Sequence, residues 1–79
     1  MRRVTLSSTS IASIGYDPKA KELELEFRES GDVYRYFDVP RGEYIAFMAA
    51  DSKGTYLNQV FKQREYSYAV IRKGKGASE

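Results

Sequence analysis

The fold of this chain is decided by the run Glu22-Leu23-Glu24-Leu25-Glu26-Phe27-Arg28, followed by Ser30-Gly31 and by Val33-Tyr34-Arg35-Tyr36-Phe37. Polar and apolar residues alternate without interruption in the first run, which is the pattern of a strand with one buried face. Ser30-Gly31 is a tight-turn signal, and the last run is rich in residues that favour strands. The segment therefore predicts an antiparallel β-hairpin, with the leucines and Phe27 facing inward and the three glutamates facing water.

The register of this hairpin decides where Tyr34 and Tyr36 point. A two-residue turn at Ser30-Gly31 opposes Arg35 to Glu26 on the polar face and sets both tyrosines opposite apolar residues. A three-residue loop would bring Arg35 to the apolar face, where an unpaired guanidinium is costly. We therefore predict that both tyrosines belong to the core. In the alternative, this face is open and the tyrosines form a stacking platform for single-stranded nucleic acid.

Further strand and helix signals surround the hairpin. We predict an earlier strand over residues 11–16, a helix that starts at Pro40, a second helix that Ser52 caps, and a last strand over residues 66–71. The order β-β-β-α-α-β predicts an α+β fold. In it, two helices cover one face of a small antiparallel sheet of three to four strands.

The length of the chain, 79 residues, is typical of one small domain. We predict that residues 1–72 form this domain. Residues 73–79 contain two glycines and no apolar side chain larger than alanine, so we expect a flexible basic tail there. The N-terminal residues include no apolar run long enough for a signal peptide or a membrane span, which leads us to expect a cytoplasmic protein.

The composition argues against catalysis and metal binding. The chain has no histidine and no cysteine, which excludes a metal site built from those ligands. It contains no Gly-x-Ser-x-Gly elbow and no glycine-rich phosphate loop. General acid–base catalysis would need a second carboxylate placed near the first, and no carboxylate, Glu43 included, has another at a spacing that indicates such a pair. We therefore expect a protein that binds other molecules, with no cofactor, no metal and no enzymatic activity.

Positive charge gathers in the second half of the chain. Residues 1–50 hold seven Lys/Arg and eight Asp/Glu, a net of −1, whereas residues 51–79 hold six Lys/Arg and three Asp/Glu, a net of +3. Interleaved with tyrosines, such charge is typical of a nucleic-acid surface, although a solvated surface with a basic tail has the same composition. The candidate nucleic-acid contacts are Lys53, Lys62, Arg64, Arg72 and Lys73.

The junction Ser52-Lys53-Gly54 allows two interpretations. It is a phosphate contact at a helix start, or a helix–helix corner in which Ser52 serves as the cap. Capping by itself explains the serine, which favours the corner. Asn58, one turn later, either ties this corner to a neighbouring backbone or faces a ligand, and we expect the tie.

Several motifs in this order resemble the KTSC domain, which occurs at the C-terminus of some lysyl-tRNA synthetases and as a stand-alone bacterial protein. The matching segments are Ser10–Asp17, Leu23–Phe27, Val33–Pro40, Tyr44, Ser52-Lys53-Gly54, Tyr56, Asn58 and Tyr66-Ser67-Tyr68. The resemblance marks Tyr34, Tyr36, Ser52, Gly54 and Asn58 as motif residues. It implies a domain of unknown biochemical function for which RNA binding has been suggested.

Two functions therefore remain open for this sequence. The first is RNA or other nucleic-acid binding through the basic second half of the chain. The second is protein binding through Phe37 and the acidic outer face of the hairpin. The sequence leaves the oligomeric state open.

Overall fold

The computed structural model describes residues 1–74 and places five antiparallel strands in one sheet, ordered as in the chain. A helical layer inserted between the last two strands covers one face of the sheet, so the fold is α+β. The strands are β1 (Arg3–Thr5), β2 (Ile11–Asp17), β3 (Glu22–Phe27), β4 (Val33–Tyr36) and β5 (Tyr68–Arg72).

In the part of the chain that the structure describes, two helical segments form the covering layer. The first is α1 (Arg41–Ala49); the second begins as α2 (Lys53–Tyr56), continues as a π-helix (Leu57–Phe61) and ends in a 3-10 turn (Lys62–Arg64). The predicted cap of the second segment is confirmed, because the Thr55 N–H donates to Ser52 Oγ at 3.2 Å. Pro40 is the N-cap of α1 rather than its first helical residue.

Within residues 1–74 the sheet has five strands, whereas the sequence predicts three to four. The additional strand is β1, in which Val4 lies opposite Ile14 of β2. A three-residue strand is too short to show an alternating pattern, so β1 is recognisable only through its pairing with β2.

The predicted hairpin register is wrong by two residues. Arg35 lies opposite Glu24, and the connection is a four-residue loop, Arg28–Gly31, closed by the Phe27 N–H donating to the Asp32 carbonyl at 2.9 Å. Side chains alternate with a period of two along a strand, so a two-residue shift leaves each of them on its predicted face. Both tyrosines of β4 accordingly lie on the helix-facing side.

The helical layer buries the centre of that side and leaves the β4–β5 end uncovered. Tyr36 is 8% exposed and its ring meets Phe61 edge-on at 4.8 Å between centroids, which confirms it as a core residue. Tyr34, two residues earlier, is only half-buried and packs against the border of the core. The fully buried side chains at the centre are Ile11, Ile14, Leu23, Leu25, Val39, Phe47 and Phe61.

The opposite face of the sheet is charged but internally neutralised. The sequence predicts that Glu24 faces water, but this prediction is wrong and Glu24 is buried. Arg3 and Arg35 bind its two oxygens at 2.8 and 2.7 Å. The long arginine side chains from β1 and β4 lie over the carboxylate and exclude solvent from it. Glu26, which is partly exposed, is paired with Arg72 at 3.1 Å.

The C-terminal end of the described chain returns to the β3–β4 loop, where the Gly74 N–H donates to Asp32 Oδ1 at 2.7 Å. Lys73 and Gly74 fall within the predicted tail, and its remaining residues, 75–79, lie outside the described part of the chain. Among residues 1–74, no helix has the length and apolar character needed to cross a membrane.

Candidate nucleic-acid interface

An exposed aromatic surface occupies the uncovered end of the helix-facing side. The rings of Tyr34 and Tyr68 stack at 5.1 Å between centroids and 14° between planes, and Phe27 meets Tyr34 edge-on at 5.0 Å. Tyr68 is 56% exposed and Val70, next on the same face of β5, is 40% exposed. We call Phe27, Tyr34, Tyr68 and Val70 the tyrosine surface. Its aromatic rings are held in place from one side and accessible from the other.

A groove of about 340 Å³ separates the tyrosine surface from the second helical segment. Its charged side chains are Lys62 and Glu65, both exposed. Lys62 forms no ion pair with any residue from 1 to 74, so its ammonium group is available to a ligand. The groove is lined by Tyr34, Tyr36, Phe61, Lys62, Glu65, Tyr66 and Tyr68.

A second depression, of about 540 Å³, lies at the Ser52-Lys53-Gly54 corner and is rich in hydroxyl groups. The corner is closely packed, because a Cβ added at Gly54 would lie 2.7 Å from Ser10 Oγ. We call this depression the serine recess. Its lining residues are Leu6, Ser7, Ser8, Thr9, Ser10, Asp51, Ser52, Lys53, Gly54, Thr55 and Asn58.

Asn58 faces the serine recess instead of forming the predicted tie. Its side chain is exposed and makes no hydrogen bond with residues 1–74. Lys62 is four residues further along the same helical segment, so the two side chains lie on one flank. On the sheet, Phe27 of the tyrosine surface lies opposite Ile11, the residue after Ser10 of the recess. The recess and the tyrosine surface therefore follow the same side of the helix.

The predicted basic residues do not form one strip. Lys53 lines the serine recess, with its Nζ donating to the Ala50 carbonyl at 2.6 Å, and Lys62 lines the groove. Arg72 binds Glu26 on the other face of the sheet, and Arg64 binds Glu43. Lys73 is exposed beyond the end of β5. Two of the five candidate cations thus border the aromatic side of the domain, and two arginines are engaged elsewhere.

A buried carboxylate explains the position of Arg64. Glu43 of α1 is 6% exposed and accepts hydrogen bonds from Arg64 Nε at 2.8 Å, from the Tyr66 hydroxyl at 2.7 Å and from the Tyr56 hydroxyl. The spacing of these residues in the sequence gives no sign of this cluster, because the donors come from three separate positions beyond α1. It joins α1 to the second helical segment and to the chain that enters β5.

The Glu43 cluster is arranged to keep the carboxylate ionised. Burial raises the pKa of Glu43, but the hydrogen bonds from Tyr56, Tyr66 and Arg64 together lower it by more than burial raises it. The pKa of Glu43 therefore lies below its ordinary value. Burial and the hydrogen bond to Glu43 raise the pKa of Tyr66 to about 12. The three hydrogen bonds to Glu43 tie together segments that are distant in the chain, so this cluster stabilises the fold.

The contact between Gly54 and Ser10 can be tested by substitution. We expect Gly54→Ala to lower the free energy of unfolding, because the new methyl group displaces Ser10 Oγ. In the Ser10→Ala background the same change should be neutral or stabilising, since alanine favours a helix over glycine. Urea unfolding of the four proteins should give a coupling energy of about 1 kcal/mol. An equal effect of Gly54→Ala in both backgrounds would show that this contact does not require the glycine.

Comparisons with known proteins agree with the arrangement of motifs. The family model of the KTSC domain matches residues 7–66. An uncharacterised protein from Stutzerimonas stutzeri is 50% identical over 68 residues, which cover 86% of this chain and 94% of that protein. A protein from Tsukamurella paurometabola is 36% identical over 65 residues, covering 82% of this chain and 96% of that one.

A solved structure shares the fold. The crystal structure of a KTSC domain protein from Yersinia pestis matches with a TM-score of 0.83 and 41% identity, and the match covers 90% of this chain and 97% of that chain. The family model spans β2 to β4, the helical layer and the five motif residues named above. The chain therefore belongs to the KTSC domain family.

Proposed function

We propose that the protein binds single-stranded nucleic acid on the tyrosine surface. The observation that carries this proposal is the Tyr34–Tyr68 stack, in which Tyr68 is more than half exposed. Single-stranded nucleic acids bind by stacking unpaired bases on aromatic side chains that a sheet holds in place. Tyr34 holds the Tyr68 ring in place, so a base that stacks on Tyr68 binds without the entropic cost of ordering a mobile side chain.

The surroundings of the tyrosine surface suit a polynucleotide backbone. Lys62 lies beside the stacked rings, where its ammonium group can contact a phosphate. The hydroxyls of the serine recess and the Asn58 amide lie along the same helix and offer hydrogen-bond donors and acceptors to sugars and phosphates. Glu65 also lines the groove, and its carboxylate repels a phosphate there. We expect weak binding, with a Kd on the order of 10⁻⁵ M, and little dependence on sequence.

Binding is best tested by fluorescence anisotropy with single-stranded RNA and DNA of about 12 nucleotides. Tyr68→Leu keeps an apolar strand residue but removes the ring, and we expect it to weaken binding by roughly 5- to 150-fold, since one stacked base contributes about 1–3 kcal/mol. Lys62→Gln should reduce the slope of log K against log salt by about 0.7, the loss of one phosphate contact on a single strand. Arg64 is left unchanged, because its removal would break the ion pair with the buried Glu43 and so change stability as well as charge.

Two matched variants serve as controls for this experiment. Lys19→Gln removes an exposed lysine from the β2–β3 turn, and Phe37→Leu removes a half-buried aromatic residue that follows β4. Both should bind like the wild type. The proposal is wrong if no oligonucleotide binds at low salt or if Tyr68→Leu binds normally. Loss of binding in Phe37→Leu alone would move the site away from the tyrosine surface.

A further inference from the structure

We propose that β5 pairs with β5 of a second copy of this chain, forming a symmetric dimer with one continuous sheet. The outer edge of β5 is open, because no strand from residues 1–74 lies on it. An open strand edge presents unpaired N–H and C=O groups and is a template for pairing with another chain.

The two edges of the sheet differ in how they are protected. At one edge, β1 has three residues, begins at the charged Arg3 and is preceded by Arg2. At the other edge, the stretch 66–71 contains no charged residue, and Tyr68, Val70 and Ile71 are exposed by 56, 40 and 41%. Charge and short length are the usual devices against edge-to-edge association, and the stretch 66–71 lacks both.

The hydrogen bonds within the sheet show which backbone groups of β5 point outward. The Phe37 N–H donates to the Ser67 carbonyl at 2.9 Å, so Ser67 is directed toward β4. Hydrogen-bonded positions alternate along an antiparallel pair, so Ala69 is also directed toward β4. Tyr68 lies between Ser67 and Ala69, and Val70 follows Ala69. The backbone N–H and C=O groups of Tyr68 and Val70 are therefore directed to the open edge.

This alternation selects a self-complementary register centred on Ala69. An antiparallel copy then sets Tyr68 opposite Val70 of the second chain and Val70 opposite Tyr68, and each pair exchanges two hydrogen bonds. Both side chains lie on the helix-facing side of the sheet, so an aromatic residue meets a β-branched one at both pairs. Arg72 falls outside the paired segment and stays with Glu26. Between the described residues of the two copies, no like charges meet across the interface, which fits a second copy of β5.

The interface comprises one strand pair and a few side chains, which places it at the small end of protein interfaces. We therefore expect a monomer–dimer equilibrium. In the dimer, the tyrosine surfaces of the two copies lie on the same side of the sheet and next to each other.

Disulfide capture tests this register directly, since the chain has no cysteine of its own. In the proposed dimer, Ala69 faces Ala69 of the second copy as a non-hydrogen-bonded pair, with Cα atoms about 4.5 Å apart, within disulfide range. Ala69→Cys should therefore form a covalent dimer at least tenfold faster than Ser67→Cys under mild oxidation. Ser67 is the matched control, because its two copies would lie four residues apart along the strands, about 13 Å.

Sedimentation equilibrium of the full, unmodified chain supplies a second measurement. The average mass should rise with concentration from 9.0 kDa toward twice that value. Val70→Lys should abolish the rise, whereas Ile45→Lys, which likewise replaces an exposed β-branched residue with lysine but on α1, should leave it intact. A 9.0 kDa species at every concentration, equal crosslinking of the two cysteine variants, or a dimer that survives Val70→Lys would each overturn the proposal.

Discussion

Tyr36→Ala is expected to lower the free energy of unfolding by about 3–5 kcal/mol, the cost of deleting a large buried aromatic side chain. Tyr36 contacts Phe61 and is almost fully buried, so the cavity would open at the centre of the sheet–helix interface. Tyr34→Ala should cost less, about 1–2 kcal/mol, because half-buried Tyr34 loses mainly its aromatic contacts with Phe27 and Tyr68. Urea unfolding followed by far-UV circular dichroism measures both effects.

A loss of this size can unfold a chain of only 79 residues outright, so the experiment includes a variant that keeps the ring. Tyr36→Phe should remain folded, and Tyr36→Ala should fall well below it. Burial raises the pKa of Tyr36 to about 12, so its phenol should ionise above the ordinary tyrosine range near 10 in a spectrophotometric titration. Equal destabilisation by Tyr34→Ala and Tyr36→Ala would contradict the difference in burial between the two residues.

Glu43→Ala is expected to cost about 2–4 kcal/mol, because it leaves the hydroxyls of Tyr56 and Tyr66 without their acceptor in a part-buried site. The Arg64 side chain is half exposed and can turn to water, which limits the penalty. Arg64→Ala should have a smaller effect than Glu43→Ala, since two tyrosine donors still hold the carboxylate. Urea midpoints at pH 7 of the wild type and the two variants measure this order.

The same carboxylate should make stability depend on pH. The folded-state pKa of Glu43 is lowered, so the unfolded chain binds the proton more readily and the stability contributed by Glu43 rises with pH. This contribution is complete above the ordinary glutamate pKa of about 4.3 and is lost as the pH falls through the lower folded-state value. Glu43→Gln should therefore flatten the stability profile below about pH 5 relative to wild type. Glu29→Gln, at an exposed loop position, is the control and should leave the stability profile unchanged. If the wild type and Glu43→Gln gave the same profile, Glu43 would not be the source of the pH dependence.

Local sequence pattern was enough to predict most elements of the fold. The alternation over Glu22–Phe27 identified β3 and its buried face, and the serine at position 52 identified the start of the second helical segment. These signals are reliable because strand alternation and helix capping depend on residues a few positions apart. Even with the hairpin register wrong by two residues, the face of Tyr34 and Tyr36 was right, since a shift of two preserves the alternation.

The candidate site depended on contacts between residues far apart in the chain. The alternating pattern predicts the same burial for Tyr34 and Tyr36. In the structure the helical layer ends between them, so Tyr36 is core and Tyr34 belongs to an open aromatic surface. The basic residues look like one strip in the sequence, but Arg64 and Arg72 are bound to carboxylates contributed by α1 and β3. Burial of a charge and the coverage of a sheet face are set by packing between distant elements, and no local pattern encodes them.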